Sequence, residues 1–92
     1  MPNTDLIEIG NRISKRRKHL GLTQEALAEK MNVSVQMISN LERGNKAIKI
    51  ENLIKISDIL NVSTDYILKG EIIDRDMKSF AESFSKLSEK DY

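Results

Sequence analysis

Residues 22–44 read LTQEALAEKMNVSVQMISNLERG, and this run constrains the fold more than any other stretch. It spells two short helices joined by a tight turn. Thr23 suits an N-cap, because its hydroxyl can accept a hydrogen bond from one of the first N–H groups of a helix, which lack intrahelical partners. Leu27, Ala28 and Met31 then recur at helical spacing. Asn32 tolerates the left-handed conformation that a sharp turn requires. Val33 is apolar, Ser34 is a second cap, and Ile38 and Leu41 mark the inner side of a second helix ended at Gly44.

The remainder of the chain fits around this pair. With 92 residues, one domain is the default. An apolar content of 39% supports one modest core, and a single Pro and four Gly leave little room for long loops. No alternating run or hairpin signal is present, so the expected class is all-α. A first helix is expected over about 5–20, with Leu6, Ile9, Ile13 and Leu20 inward and Arg17 on the same stripe. A buried arginine there needs a partner. Gly21 is its left-handed stop. The paired helices are expected over 24–31 and 35–43, with a polar, basic loop over 45–49. A fourth helix over 50–60 turns Ile50, Leu53, Ile54, Ser57 and Leu60 inward and stops at Asn61. Ser63 caps a fifth over 64–69, stopped by Gly70. The Asn-Val-Ser triplets at 32 and 61 match a glycosylation sequon. They read better as a helix end, an apolar plug and the next helix cap.

Residues 71–92 read as a sixth, amphipathic helix. Ile73, Met77, Phe80, Phe84 and Leu87 fall on a heptad seam. Glu71, Asp74 and Asp76 stand at its start and Lys86 and Lys90 near its end, as the helix dipole favours. Two heptads are too few to stand alone, so the stripe covers its own domain, a second copy or a separate regulator. The division is therefore a compact five-helix domain over 1–70 and a docking or pairing segment over 71–92. Charge divides similarly: 11 Lys/Arg against 8 Asp/Glu over 1–70, and 4 against 6 over 71–92.

Taking Ile38 and Leu41 as inward, Gln36, Asn40 and Arg43 point away from the core, with Ser39 beside them. A helix–turn–helix whose second helix offers Gln, Ser and Asn outward matches readout of base edges in the DNA major groove. Gln or Asn can bond adenine N6 and N7 together, and Val35 can meet a thymine methyl. The start of the preceding helix, at Thr23 and Gln24, favours a phosphate. Arg43, Asn45, Lys46 and Lys49 follow the reading helix and can grip the backbone. Arg12, Lys15, Arg16 and Lys18 crowd the first helix but point in several directions.

These residues resemble the lambda-repressor-like, or Cro/cI-type (XRE), helix-turn-helix family of bacterial and phage regulators. The resemblance rests on the basic run 12–18, Leu22-Thr23-Gln24, Ala28, Val33-Ser34, Ile38-Ser39, Glu42-Arg43-Gly44 and the later Asn-Val-Ser, and covers about 6–69. It implies base contacts from Ser34, Val35, Gln36, Ser39 and Asn40, and an ion pair between Arg17 and Glu42. The chain departs from the family at Asn32, where glycine is frequent. It also departs at Ile48-Lys49, where proline-serine usually caps the next helix.

Other chemistries find little support. There is no cysteine, so disulfides and thiolate zinc sites are excluded. His19 is the only histidine, which argues against a metal centre. Met31, Met37 and Met77 sit at helical spacing as core or flank residues. No nucleophile–base pair or glycine-rich phosphate loop appears. Neither a signal peptide nor a membrane span is visible. The expectation is therefore a cytoplasmic regulator, neither an enzyme nor a cofactor protein and without a small-molecule substrate. It would act as a homodimeric repressor on double-stranded DNA, paired through Ile73, Met77, Phe80, Phe84 and Leu87 with help from the fourth and fifth helices. The rival is a protein-interaction module, such as an antitoxin, whose tail binds a toxin or regulator.

Overall fold

The computed structural model describes residues 5–90, with side chains over 5–82. Six helices follow in order: α1 (Leu6–His19), α2 (Gln24–Met31), α3 (Val35–Glu42), α4 (Ile50–Leu60), α5 (Thr64–Lys69) and α6 (Asp74–Lys90). No strand occurs among the described residues.

Local chemistry sets most of the boundaries. Asp5, Thr23, Ser34 and Ser63 are N-caps in extended conformation, and each side chain accepts a bond from an N–H in the first turn. Lys49 stands at the start of α4 and makes no side-chain cap bond, as its departure from proline-serine implies. Four helix ends close with the same bond, from an N–H to the carbonyl five residues back. The N–H groups of Leu22, Val33, Asn45 and Val62 donate to the carbonyls of Arg17, Ala28, Asn40 and Ser57. Each closure pivots on a left-handed residue, glycine at 21 and 44 and asparagine at 32 and 61. Both Asn-Val-Ser triplets thus do one job: turn, plug, restart. Val62 is fully buried and Val33 half-buried against the core.

The core gathers Ile9 and Ile13 from α1, Leu27, Ala28 and Met31 from α2, and Ile38 and Leu41 from α3. Leu53, Ile56, Leu60, Val62 and Ile67 complete it. Three inward expectations are corrected. Leu20 lies just past the end of α1 and is exposed. Ile50 and Ile54 are 77% and 52% exposed, whereas Ile56 is buried. The buried stripe of α4 is Asn52, Leu53, Ile56, Ser57 and Leu60. Ile54 is rotated by about 100° from Leu53, and Ile50 stands at the uncapped end.

Three arginines of α1 each secure a different part of the domain. Arg12 donates from Nε and Nη2 to the carbonyls of Ile67 and Leu68, at 2.9 and 3.0 Å. Arg16 donates from Nε to the carbonyl of Leu60 at 2.9 Å. Each cation thus meets the negative end of a helix, α5 and α4 respectively. Arg17 donates from Nη1 to the carbonyl of Leu22 at 2.7 Å and turns its remaining donors to α3. The basic first helix is therefore largely structural, and burial lowers the pKa of Arg16 from the usual arginine value. Lys15 and Lys18 remain exposed.

The start of α6 is fixed to this body. Asp76 is fully buried, and its carboxylate accepts from the Ser63 N–H and hydroxyl, both at 2.6 Å, and from the Ile73 N–H at 3.0 Å. One side chain thus supplies the carboxylate half of a capping box on α6 and ties it to the start of α5. One turn later, Phe80 meets the Tyr66 ring edge-on, with centroids 5.3 Å apart at 71°, and the Arg16 guanidinium lies 5.1 Å from its centroid.

Candidate nucleic-acid interface

α3 is held on its inner side by apolar burial and by one ion pair. Ile38 is fully buried and Leu41 nearly so. α1 crosses α3 at Gly10, where an added Cβ would overlap the carbonyl oxygens of Leu41 and Glu42. Hydrogen at that position lets the two backbones approach directly. Arg17 then meets Glu42 in a two-pronged contact, Nε to Oε2 at 2.6 Å and Nη2 to Oε1 at 3.0 Å. Gln24 Nε2 donates to the same Oε1 at 3.0 Å, so α1, α2 and α3 meet at one carboxylate. Burial pushes the Glu42 pKa up, but hydrogen bonds from Arg17, Gln24 and Ser14 with the Arg17 charge outweigh it. The net shift is downward, and the group stays ionised.

The opposite side of α3 faces solvent. Ser34, Val35 and Gln36 are exposed, and Ser39 and Asn40 are half-exposed. The Ser34 hydroxyl is occupied by the Met37 N–H at 3.1 Å. Gln36 Nε2 and Arg43 Nη2 both donate to Asn40 Oδ1, at 3.2 and 3.1 Å, so the polar side chains form one lateral network. Arg43 is the C-cap of α3, one residue past its expected helical role.

The residues expected to meet phosphate differ in their surroundings. Thr23 is exposed, with its hydroxyl bound to the Ala26 N–H at 2.9 Å. Asn45, Lys46 and Lys49 are exposed on the connection to α4. Gln24 sits apart from them in role: its amide is turned inward to Glu42. The basic residues of α1 divide likewise, with Arg12 and Arg16 committed to helix ends.

The apolar stripe of the tail is divided. Ile73 and Met77 are 41% and 62% exposed, whereas Phe80 packs on its own domain against Arg16 and Tyr66. Phe84 and Leu87 lie outside the described side chains. Sequence reasoning misses the roles of Gly10, Arg12, Arg16 and Asp76. Two of them had a local signal: Arg16 follows Ile13 by three residues, and Asp76 is the third residue of its helix, where a box carboxylate sits.

Among the described residues no group of three or more His, Cys, Asp and Glu could hold a metal ion. No helix there is long and apolar enough to cross a membrane.

The chain matches the family model for the helix-turn-helix over residues 13–67. It is 33% identical over 91 residues to the HTH-type transcriptional regulator ImmR of Bacillus subtilis, covering 92% of this chain and 72% of that protein. It is 43% identical over 70 residues to repressor protein C2 of Salmonella phage P22, covering 76% of this chain and 32% of C2. The chain spans under half the length of C2 and of two further matched regulators. Its fold is similar to that of the restriction-modification controller protein C.AhdI from Aeromonas hydrophila. The TM-score is 0.66 at 26% identity, over 71% of this chain and 98% of that one. These relatives are regulators, a non-enzymatic class.

Proposed function

The chain belongs to the Cro/cI-type helix-turn-helix family of transcriptional regulators, and we propose that it is a dimeric repressor reading an inverted-repeat operator through α3. The observation that carries this reading is the division of α3. Ile38, Leu41 and Glu42 are locked into the body, while Ser34, Val35, Gln36, Ser39 and Asn40 line its open side. A helix so fixed can present base-reading groups without first ordering them. Cations at Arg43, Lys46 and Lys49 flank that side and supply phosphate attraction.

Pairing follows from the size of the reading surface. One eight-residue helix touches few bases, and a two-fold pair doubles the contacts over half-sites about 10 bp apart. Residues 1–70 serve as the DNA-binding unit. Ile73 and Met77 at the start of α6, with Ile50 and Ile54 on α4, supply exposed apolar side chains for pairing. Phe80 is left out of this seam because it covers its own domain. Repression by occupancy needs nothing further: a dimer on a promoter excludes polymerase.

Selection of bound duplexes from a random pool tests the reading. Enrichment of an inverted repeat is expected. A single enriched half-site contradicts pairing, and no enrichment at low salt contradicts DNA reading.

A further inference from the structure

The open face of α3 has a donor–acceptor order that one residue fixes. Asn40 Oδ1 accepts from both Gln36 Nε2 and Arg43 Nη2. An amide can turn over, exchanging oxygen for nitrogen, but a guanidinium carries five donors and no acceptor. The Asn40 atom facing Arg43 must therefore be its oxygen. The Gln36 atom facing that oxygen must be its nitrogen. Arg43 thus sets the polarity of both amides. Two bonds fill the acceptor sites of Asn40 Oδ1, so Asn40 has only N–H groups left to offer. Gln36 keeps its own oxygen and a second N–H.

We propose that Arg43 is a positioning residue for specificity: it holds Asn40 as a pure donor that reads guanine, and leaves the mixed adenine contact to Gln36. The inference rests on the reading of α3 as the groove helix. In the major groove guanine presents two neighbouring acceptors, N7 and O6, whereas adenine presents one acceptor and one donor. The Asn40 Nδ2 group suits the first pattern. To take the second it must free its oxygen from both partners. The other Arg43 donors remain available for phosphate, so positioning and gripping are compatible.

The test uses the full chain and the duplex enriched from a random pool. Binding of the wild type, Asn40→Ala and Arg43→Met is measured by fluorescence anisotropy on every single base-pair substitution of that duplex. Arg43 is exposed, so Arg43→Met should melt like the wild type, which thermal unfolding checks. Asn40→Ala locates the base pair concerned, as the position where preference disappears. The wild type is expected to favour guanine over adenine there by roughly tenfold. Arg43→Met should erase or reverse that preference and leave intact the preferences at pairs that neither Asn40 nor Gln36 reads.

Uniform weakening of all duplexes by Arg43→Met, with an unchanged preference profile, overturns the proposal and leaves Arg43 as a phosphate contact only. A wild-type preference for adenine at that pair overturns it too, as does an Asn40→Ala variant with no altered position. If the pool enriches nothing, the groove-helix reading fails together with it.

Discussion

Arg17 on α1 and Glu42 on α3 meet through two bonds, at 2.6 and 3.0 Å, with side chains only 8% and 5% exposed. Removing one partner leaves the other charge buried without its counter-ion. Glu42→Ala is therefore expected to destabilise the domain by about 3–5 kcal/mol. A urea titration checks this, and an unchanged melting temperature would contradict it.

The same carboxylate and Asp76 give stability a defined pH dependence. Burial raises the pKa of each, but bonds to Glu42 from Arg17 and Gln24, and to Asp76 from Ser63 and Ile73, outweigh it. Both folded values lie below the ordinary ones, so the folded protein binds these protons more weakly than the unfolded chain. Their contribution is complete above about pH 4–5, near and above the unfolded values, and is lost as pH falls through the folded values. The urea midpoint should be level near neutrality and decline in acid. Glu42→Gln with Asp76→Asn should lower the neutral midpoint and flatten the acid decline. An acid slope equal to that of the wild type would contradict the assignment.

Phe80 joins α6 to α1 and α5 through Arg16 and Tyr66. Phe80→Ala removes an edge-to-face pair and a cation–π contact, for a loss of about 1–3 kcal/mol. Hydrogen exchange is the suitable probe. Amides at the start of α6 should exchange faster while those of α1–α4 keep their protection. A uniform rise across all helices would show instead that α6 and the core open as one unit.

Lys46 and Lys49 are exposed beside α3. As phosphate contacts they should act without regard to sequence. Lys46→Ala or Lys49→Ala should weaken every duplex alike and reduce the salt slope of binding by about one each. A slope identical to the wild type's would remove that lysine from the interface.

The limits of α2, α3 and α5 were legible because they are written in local chemistry: Thr23, Ser34 and Ser63 as caps, and Asn32, Asn61 and glycines 21 and 44 as turns. The outward face of α3 was legible for the same reason, since helical geometry places it once Ile38 and Leu41 are inward. What was not legible depends on neighbours distant in sequence. Ile50 and Ile54 carry the same apolar signal as Leu53, and only the direction of α4 exposes them. Arg12 and Arg16 look like surface charges until the ends of α5 and α4 arrive beside them. Gly10 has no local reason to be glycine, because its need comes from the carbonyls of α3. Gln24 fits a phosphate contact by position, yet Glu42 draws its amide inward.

The proposed base-reading surface is the open face of α3. The most direct measurement compares the wild type with the triple variant Gln36→Ala, Ser39→Ala, Asn40→Ala. Each is titrated with the selected duplex and with a duplex of the same length and shuffled sequence. The wild type is expected to prefer the selected duplex strongly. The variant should bind both duplexes at the weak level of shuffled DNA, with an unchanged melting temperature because these side chains lie outside the core. Retained preference in a folded variant would place sequence reading elsewhere on the molecule and rule out α3 as the reading helix.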